Sequence, residues 1–215
     1  MIQLEVWGPY ALFTRGEMKV ERVSYDVPTP SAARGIVESL YYHPGIRWHI
    51  RRIYVLNPIE FTTIRRNEVK SKILGSTAMR IAQVKEDEPY LITTKQIVQR
   101  ASMVLTNVHY VIEAEFEMLP EKAAPGDNPG KFQNIVTRRM RKGQCFSTPY
   151  FGCREFPAHF KQWEGGPIPT IDETRDLGFM LYDFDYSDPQ NITPLYFRAK
   201  MEHGVIQVAG CEVFR

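Results

Sequence analysis

Val27-Pro28-Thr29-Pro30-Ser31-Ala32-Ala33-Arg34-Gly35-Ile36-Val37-Glu38-Ser39-Leu40-Tyr41-Tyr42-His43-Pro44 is the stretch on which the fold turns. Thr29 is a good N-cap, and Pro30 suits the first helical position, where no backbone N–H is needed. Pro44 ends the segment, so the spacing places Tyr41 and Tyr42 in the last helical turn. Upstream, Ile2-Gln3-Leu4-Glu5-Val6-Trp7-Gly8-Pro9 alternates at the strand period. A basic loop with Arg15, Lys19 and Arg22 joins the two. The chain therefore opens as strand, basic loop and capped helix.

Further along, Trp48 to Phe61 reads as a strand, and residues 62–96 carry no clear period. A long strand follows from about Gln99 to Met118. Val108, Tyr110, Ile112, Ala114, Phe116 and Met118 point one way; His109, Glu113, Glu115 and Glu117 point the other. Asn128 and Pro129 open a second helix, Phe132, Ile135, Val136 and Met140 form its apolar stripe, and Gly143 ends it. The order suits an α+β class: a ferredoxin-like (RRM-like) βαββαβ domain over residues 1–146. Arg175–Tyr186 and Thr193–Val208 are strand-rich, with turns at 187–191 and at His203-Gly204. They predict a small antiparallel β subdomain over residues 147–215.

Composition narrows the function. The 215 residues are 43% hydrophobic and 24% charged, as in an ordinary globular protein. No apolar run approaches the ~20 residues needed to cross a bilayer, and the N-terminus lacks a signal-peptide layout, so no membrane role and a cytoplasmic location are expected. Cys145, Cys153 and Cys211 include no CxxC pair, and the five histidines are scattered, so neither a metal nor a cofactor is expected. The net charge of +2 says little, but its distribution says more. Residues 130–145 hold Lys131, Arg138, Arg139, Arg141 and Lys142 without a carboxylate. Residues 45–72 hold seven cations against Glu60 and Glu68. A solvated face is the plain reading of each cluster. Interleaved with Trp48, Tyr54, Phe132 and Phe146, they also suit single-stranded RNA.

The ordered motifs Gly8-Pro9-Tyr10-Ala11-Leu12-Phe13-Thr14, Ser24-Tyr25-Asp26-Val27-Pro28-Thr29, Gly35-Ile36-Val37-Glu38-Ser39-Leu40-Tyr41, Gly130-Lys131 and Phe151-Gly152-Cys153-Arg154-Glu155 resemble a known family. It is the CRISPR-associated endoribonuclease of subtype I-C (Dvulg), in the fifth Cas family of the RAMP superfamily. The resemblance covers most of the chain. It implies cleavage of repeat hairpins in precursor crRNA, retention of the 5′ handle of mature crRNA, and a place beside the seventh-family backbone subunit and the large subunit of the surveillance complex. It also leaves room for a DNA contact.

The family's catalytic set is a Tyr at the end of the first helix and a Lys-His pair after a Gly. These fall on Tyr41, Lys131 and, at the histidine position, Phe132. Phenylalanine cannot move a proton. His109, on the polar face of a central strand, is the first substitute; His43 is the second. Metal-free cleavage needs the ribose 2′-OH to attack the adjacent phosphorus, giving a 2′,3′-cyclic phosphate and a 5′-hydroxyl. The basic cluster and a helix N-terminus are expected to loosen the hold of Lys131 on its proton. The competing readings are a packed aromatic for Tyr41, a solvated lysine for Lys131 and a sheet-surface histidine for His109. Arg15, Lys19, Arg22, Arg138, Arg139, Arg141 and Lys142 are the candidate RNA contacts, with Arg139 partly structural. Phe132 also supports a non-cutting protein that only binds the crRNA handle. A general nucleic-acid-binding protein is the third reading.

Overall fold

The computed structural model describes residues 1–18, 20–71, 75–84 and 92–215. Lys19, one of the expected RNA contacts, lies outside them. In chain order the strands are β1 (Ile2–Ala11), β2 (Arg22–Val23), β3 (Ile46–Val55), β4 (Glu60–Val69), β5 (Ile97–Met118), β6 (His159–Gln162), β7 (Arg175–Asp185), β8 (Thr193–Glu202), β9 (Val205–Gln207) and β10 (Val213–Phe214). The helices are α1 (Pro30–Leu40), α2 (Gly75–Val84), α3 (Thr93–Gln96) and α4 (Pro129–Lys142). The class is mixed α+β, dominated by one antiparallel sheet.

Both long helices begin where their caps dictate. The Thr29 hydroxyl accepts from the Ala32 N–H at 3.1 Å, and the Asn128 side-chain Oδ1 accepts from the Lys131 N–H at 2.9 Å. Gly143, in the left-handed region at φ 62°, closes α4. The end of α1 differs from expectation. Leu40 is the last helical residue, Tyr41 is extended at φ −151°, and Tyr42 lies beyond, so neither tyrosine is in the final turn. Tertiary donors explain the early stop. The Trp48 indole N–H donates to the Tyr41 carbonyl at 3.1 Å, and the Arg139 guanidinium donates to the Leu40 carbonyl. These carbonyls need no further helix to be satisfied.

The sheet runs β10-β8-β9-β3-β5-β1-β6, with β2, β4 and β7 joined from the side. β5 is its spine. Its first half pairs with β4, from Ile97 opposite Val69 to Thr106 opposite Glu60, and its second half pairs with β1 and β3. β4 corrects the reading of residues 62–96 as irregular. Its residues alternate between exposed and half-buried, and none is buried, so the strand carries no apolar stripe. Trp48–Phe61 likewise separates into β3 and the start of β4.

One face of the sheet meets α1 through Ala33, Ile36, Val37 and Leu40, and α4 through Phe132, Val136 and Met140, all at most 2% exposed. Leu4 and Val6 of β1 and Tyr110, Ile112 and Ala114 of β5 complete that layer. The core continues into β7–β8 through Met180, Phe197, Ala199 and Met201. β6, from the C-terminal half, pairs with β1, Trp7 opposite His159. Two residues with positive φ, His203 (48°) and Gly204 (72°), make the tight turn from β8 to β9.

Candidate active site at the facing ends of α1 and α4

The end of α1 and the start of α4 meet over Phe132. Phe132 is fully buried, so the position that resembles the family's histidine is occupied by a core residue. Around it sit Tyr41, His43 and Lys131. The ring centroids of Tyr41 and His43 lie 6.0 and 4.9 Å from that of Phe132, and the Lys131 ammonium is 6.0 Å from it. Tyr41 and His43 stack at 6.4 Å and 17°. The Arg139 guanidinium covers the Tyr41 ring at 5.1 Å, a cation–π contact worth about 0.5–2 kcal/mol. Arg139 thus ties α4 to the end of α1 by two contacts, and its expected part-structural role is the one its geometry supports.

Asp127 organises this group. Its carboxylate accepts from the Lys131 ammonium and from the Ala124 N–H, each at 2.8 Å, and stands 3.7 Å from His43 Nε2. Its side chain is 1% exposed, whereas that of Lys131 is 48% exposed. The bond to Lys131, then that to Ala124, holds the Asp127 carboxyl below the usual range. The same bond raises the Lys131 ammonium above its ordinary value. This corrects the expectation that neighbouring cations would loosen its proton: the partner it meets is a carboxylate. The Tyr41 phenol is also raised, first by desolvation, with the charges of Lys131 and Arg139 partly opposing. At neutral pH the cluster therefore presents a phenol O–H and an ammonium, both donors.

Comparison with known proteins follows the chain almost end to end. The family model described as CRISPR-associated protein (Cas_Cas5), in its Cas5d form, matches residues 1–209. The chain belongs to the Cas5d family. The CRISPR pre-crRNA endoribonuclease Cas5d of Mannheimia succiniciproducens is 46% identical over 214 residues, covering 96% of this chain and 94% of that protein. The protein of that name from Thermus thermophilus is 36% identical over 224 residues, covering 96% and 90%. A crystal structure of a CRISPR-associated protein shares the fold, with TM-score 0.69 at 23% identity, over 100% of this chain and 96% of that one.

In this Cas5d-family chain His109 does not join the cluster. It lies on the sheet face opposite the helices, beside its cross-strand partner Trp7, and its Nε2 sits 2.9 Å from the Glu5 carboxylate. Strand alternation is the reason: Phe116, which touches Phe132 edge-on at 6.2 Å, is an odd number of residues away and faces the other side. Arg15 and Arg22, expected to meet RNA, are held within the protein. Arg15 donates to Asp26 at 2.8 Å and lies over Tyr25; Arg22 pairs with Glu68 at 3.4 Å. Arg138 and Lys142 are exposed on α4, and Arg141 pairs with the exposed Glu164 at 3.4 Å. Of the interleaved aromatics, Trp48 and Phe132 are core, whereas Phe146 is 76% exposed.

Sequence reasoning missed Asp127 and the groove beside α1. Nothing in the loop Ala124–Asn128 marks Asp127 until its carboxylate is seen between two helix ends. The groove, about 490 Å³, is lined by Ser31, Gly35, Ser39, Tyr42, Phe146 and Tyr150. The Ser39 carbonyl accepts from the Phe146 and Ser147 N–H groups at 2.8 and 3.0 Å, which fixes the aromatic rim.

Proposed function

We propose that this chain, like its curated relatives, is a pre-crRNA endoribonuclease: it cuts the repeat of precursor crRNA by attack of the ribose 2′-OH, without a metal. The observation that carries this reading is the meeting of Tyr41, Lys131 and His43 around Phe132. The attacking 2′-oxygen forms a bond to phosphorus as the bond to the 5′-oxygen breaks, leaving a 2′,3′-cyclic phosphate and a 5′-hydroxyl. Lys131 neutralises charge on the phosphorane and gives the 5′-oxygen its proton; Tyr41 donates to a non-bridging oxygen. The 2′-OH proton leaves to solvent hydroxide, because both side chains already carry theirs. His109, on the other sheet face, is left as a structural partner of Glu5. Single-stranded RNA flanking the cut lies along the groove, against Tyr42 and Phe146, with Arg138, Arg141 and Lys142 meeting phosphates.

The layout belongs to the same proposal. The order β3-β5-β1-β6, with α1 and α4 on one face, supports a ferredoxin-like βαββαβ reading of the N-terminal part. Residues 147–215 are the smaller β part, with β6 lent to the first. Mature crRNA, the backbone and large subunits of a subtype I-C complex, and a cytoplasmic setting complete it. Among the described residues no helix is long and apolar enough to cross a membrane.

The test is an end-labelled repeat RNA incubated with the protein in EDTA. One defined product ending in a cyclic phosphate is expected; intact RNA, merely shifted on a gel, would support the handle-binding alternative. The pH profile adds a signed prediction. Protonated Lys131 and Tyr41 are the active forms, and raised pKa values keep them protonated to higher pH. The single-turnover rate should climb with hydroxide through neutrality and fall only above about pH 10, the ordinary range of both groups. A falling limb between pH 7 and 9 would contradict these roles. A further prediction concerns salt: Arg138→Ala with Lys142→Ala should flatten the slope of log binding against log salt by about 1 to 2. Loss of affinity with an unchanged slope would mean that neither residue meets a phosphate.

A further inference from the structure

We propose that His43 supplies the function missing at Phe132, as a neutral Nε2–H donor to a phosphoryl oxygen, with Asp127 as the positioning residue that holds both His43 and Lys131. The inference rests on the Tyr41–Lys131 reading of the cleavage site.

The backbone sets the tautomer. The Gly45 N–H donates to His43 Nδ1 at 3.0 Å. An amide N–H has no acceptor form, so Nδ1 keeps its lone pair and the ring proton sits on Nε2. The turn that makes this contact is itself held: the Ile46 N–H donates to the His43 carbonyl at 3.2 Å, and the Leu119 N–H donates to the Gly45 carbonyl at 2.8 Å. Position 45 is tight as well: a Cβ there would lie 3.1 Å from His43 Nδ1 and 3.1 Å from the Ala123 Cα, so a larger residue would push on the ring.

The Nε2–H then points into the same space as Lys131. It stands 3.7 Å from the Asp127 carboxylate, beyond a hydrogen bond, so it is oriented by that charge yet remains open to a substrate oxygen. A second proton on the ring would have to displace the Gly45 N–H. The groups facing His43 are the Asp127 carboxylate, the stacked Tyr41 ring and, across Phe132, Lys131; Arg139 reaches it only through Tyr41. Such a histidine acts like an oxyanion-hole donor: it strengthens its bond as charge grows on the phosphorane and transfers no proton. The work of a Lys-His pair is thus spread over two chain segments, with the imidazole entering from the α1 side.

The experiment measures single-turnover cleavage of repeat RNA and, separately, RNA affinity, for wild type, His43→Ala, His43→Gln, Asp127→Asn and Lys131→Ala. His43→Ala should cleave about 10²-fold more slowly, the scale of one lost oxyanion donor, with affinity within about twofold of wild type. His43→Gln, whose amide N–H reaches near the position of Nε2, should recover at least about tenfold of that loss. Asp127→Asn should move the alkaline falling limb to lower pH, because Lys131 loses the carboxylate that holds its proton. A merely structural Asp127 would leave that limb in place. An inflection near pH ~6.5 in the wild type that His43→Gln abolishes would make His43 a titrating acid or base and overturn the neutral donor. Wild-type cleavage by His43→Ala alongside a crippled Lys131→Ala would remove His43 and leave the site reading standing. Wild-type cleavage by Lys131→Ala would remove the site reading itself.

Discussion

Replacing Lys131 by alanine should slow single-turnover cleavage of repeat RNA by about 10²- to 10³-fold, while RNA affinity changes by less than about threefold. The side chain can be removed at little structural cost. Its side chain is half-exposed, it donates to Asp127, and among the described residues the core meets it at the edge of the Phe132 ring. Solvent screens a pair whose lysine stands half in water, and Ala124 still donates to the carboxylate, so the melting temperature should move little. The chemistry should lose far more. In the proposed reaction the ammonium is the charge that meets the phosphorane, and its removal leaves the Asp127 carboxylate without its cation beside an anionic substrate. Lys131→Met keeps the length and drops the charge, and should fall as far as alanine. Lys131→Arg keeps the charge and should retain more activity than either. A wild-type rate in Lys131→Ala would exclude the α4 N-terminus from the reaction.

The helices and the central strands were legible because their signals are local. Thr29-Pro30 and Asn128-Pro129 place a side-chain acceptor and a missing N–H where a first turn wants them, and the hydrogen bonds observed at Ala32 and Lys131 are those contacts. The alternation from Val108 to Met118 follows from one face packing on two helices and the other not. β4 was illegible because it buries nothing: its partner and its register come from β5, 28 to 46 residues away in sequence. The end of α1 was misjudged because Trp48 and Arg139, which satisfy its last carbonyls, are tertiary neighbours.

The site divides in the same way. Tyr41 and Lys131 were candidates because resemblance pointed at their motifs, and the fold brings both to Phe132. The proton affinity of Lys131 was read in the wrong direction because the sequence shows five cations in a row of sixteen residues and not the carboxylate four residues before it folding back. His109 looked central because it is central to the sheet; the face it occupies is decided by parity against Phe116. Arg15 and Arg22 looked available because Asp26 and Glu68, which hold them, lie on other strands and turns.

Gly152→Ala should destabilise the fold by about 4 kcal/mol, which for a chain of this size lowers the melting temperature by roughly 10 °C. Gly152 is left-handed at φ 80°, and a Cβ on it would stand 1.9 Å from the Leu12 carbonyl oxygen and 2.7 Å from its carbon. Backbone on both sides of the clash leaves no rotamer to turn. The left-handed conformation alone costs an alanine about 1 kcal/mol. Relief requires residues 150–157 to lift from the end of β1, which breaks the bond from the Leu12 N–H to the Phe151 carbonyl at 3.0 Å. It also pulls the fully buried Phe151 ring away from Phe13 and Tyr110, its edge-on neighbours at 6.2 and 6.1 Å, and losing the burial of such a ring costs up to about 1.5–3 kcal/mol. Gly35→Ala is the opposing control: nothing lies within 4 Å of its added Cβ, and alanine in a helix gains about 0.5–1 kcal/mol over glycine. Thermal unfolding followed by circular dichroism separates the two. A Gly152→Ala protein within about 1 kcal/mol of wild type would mean that the 150–157 segment can shift without losing Phe151, and that its glycine is not what seats the C-terminal half on β1.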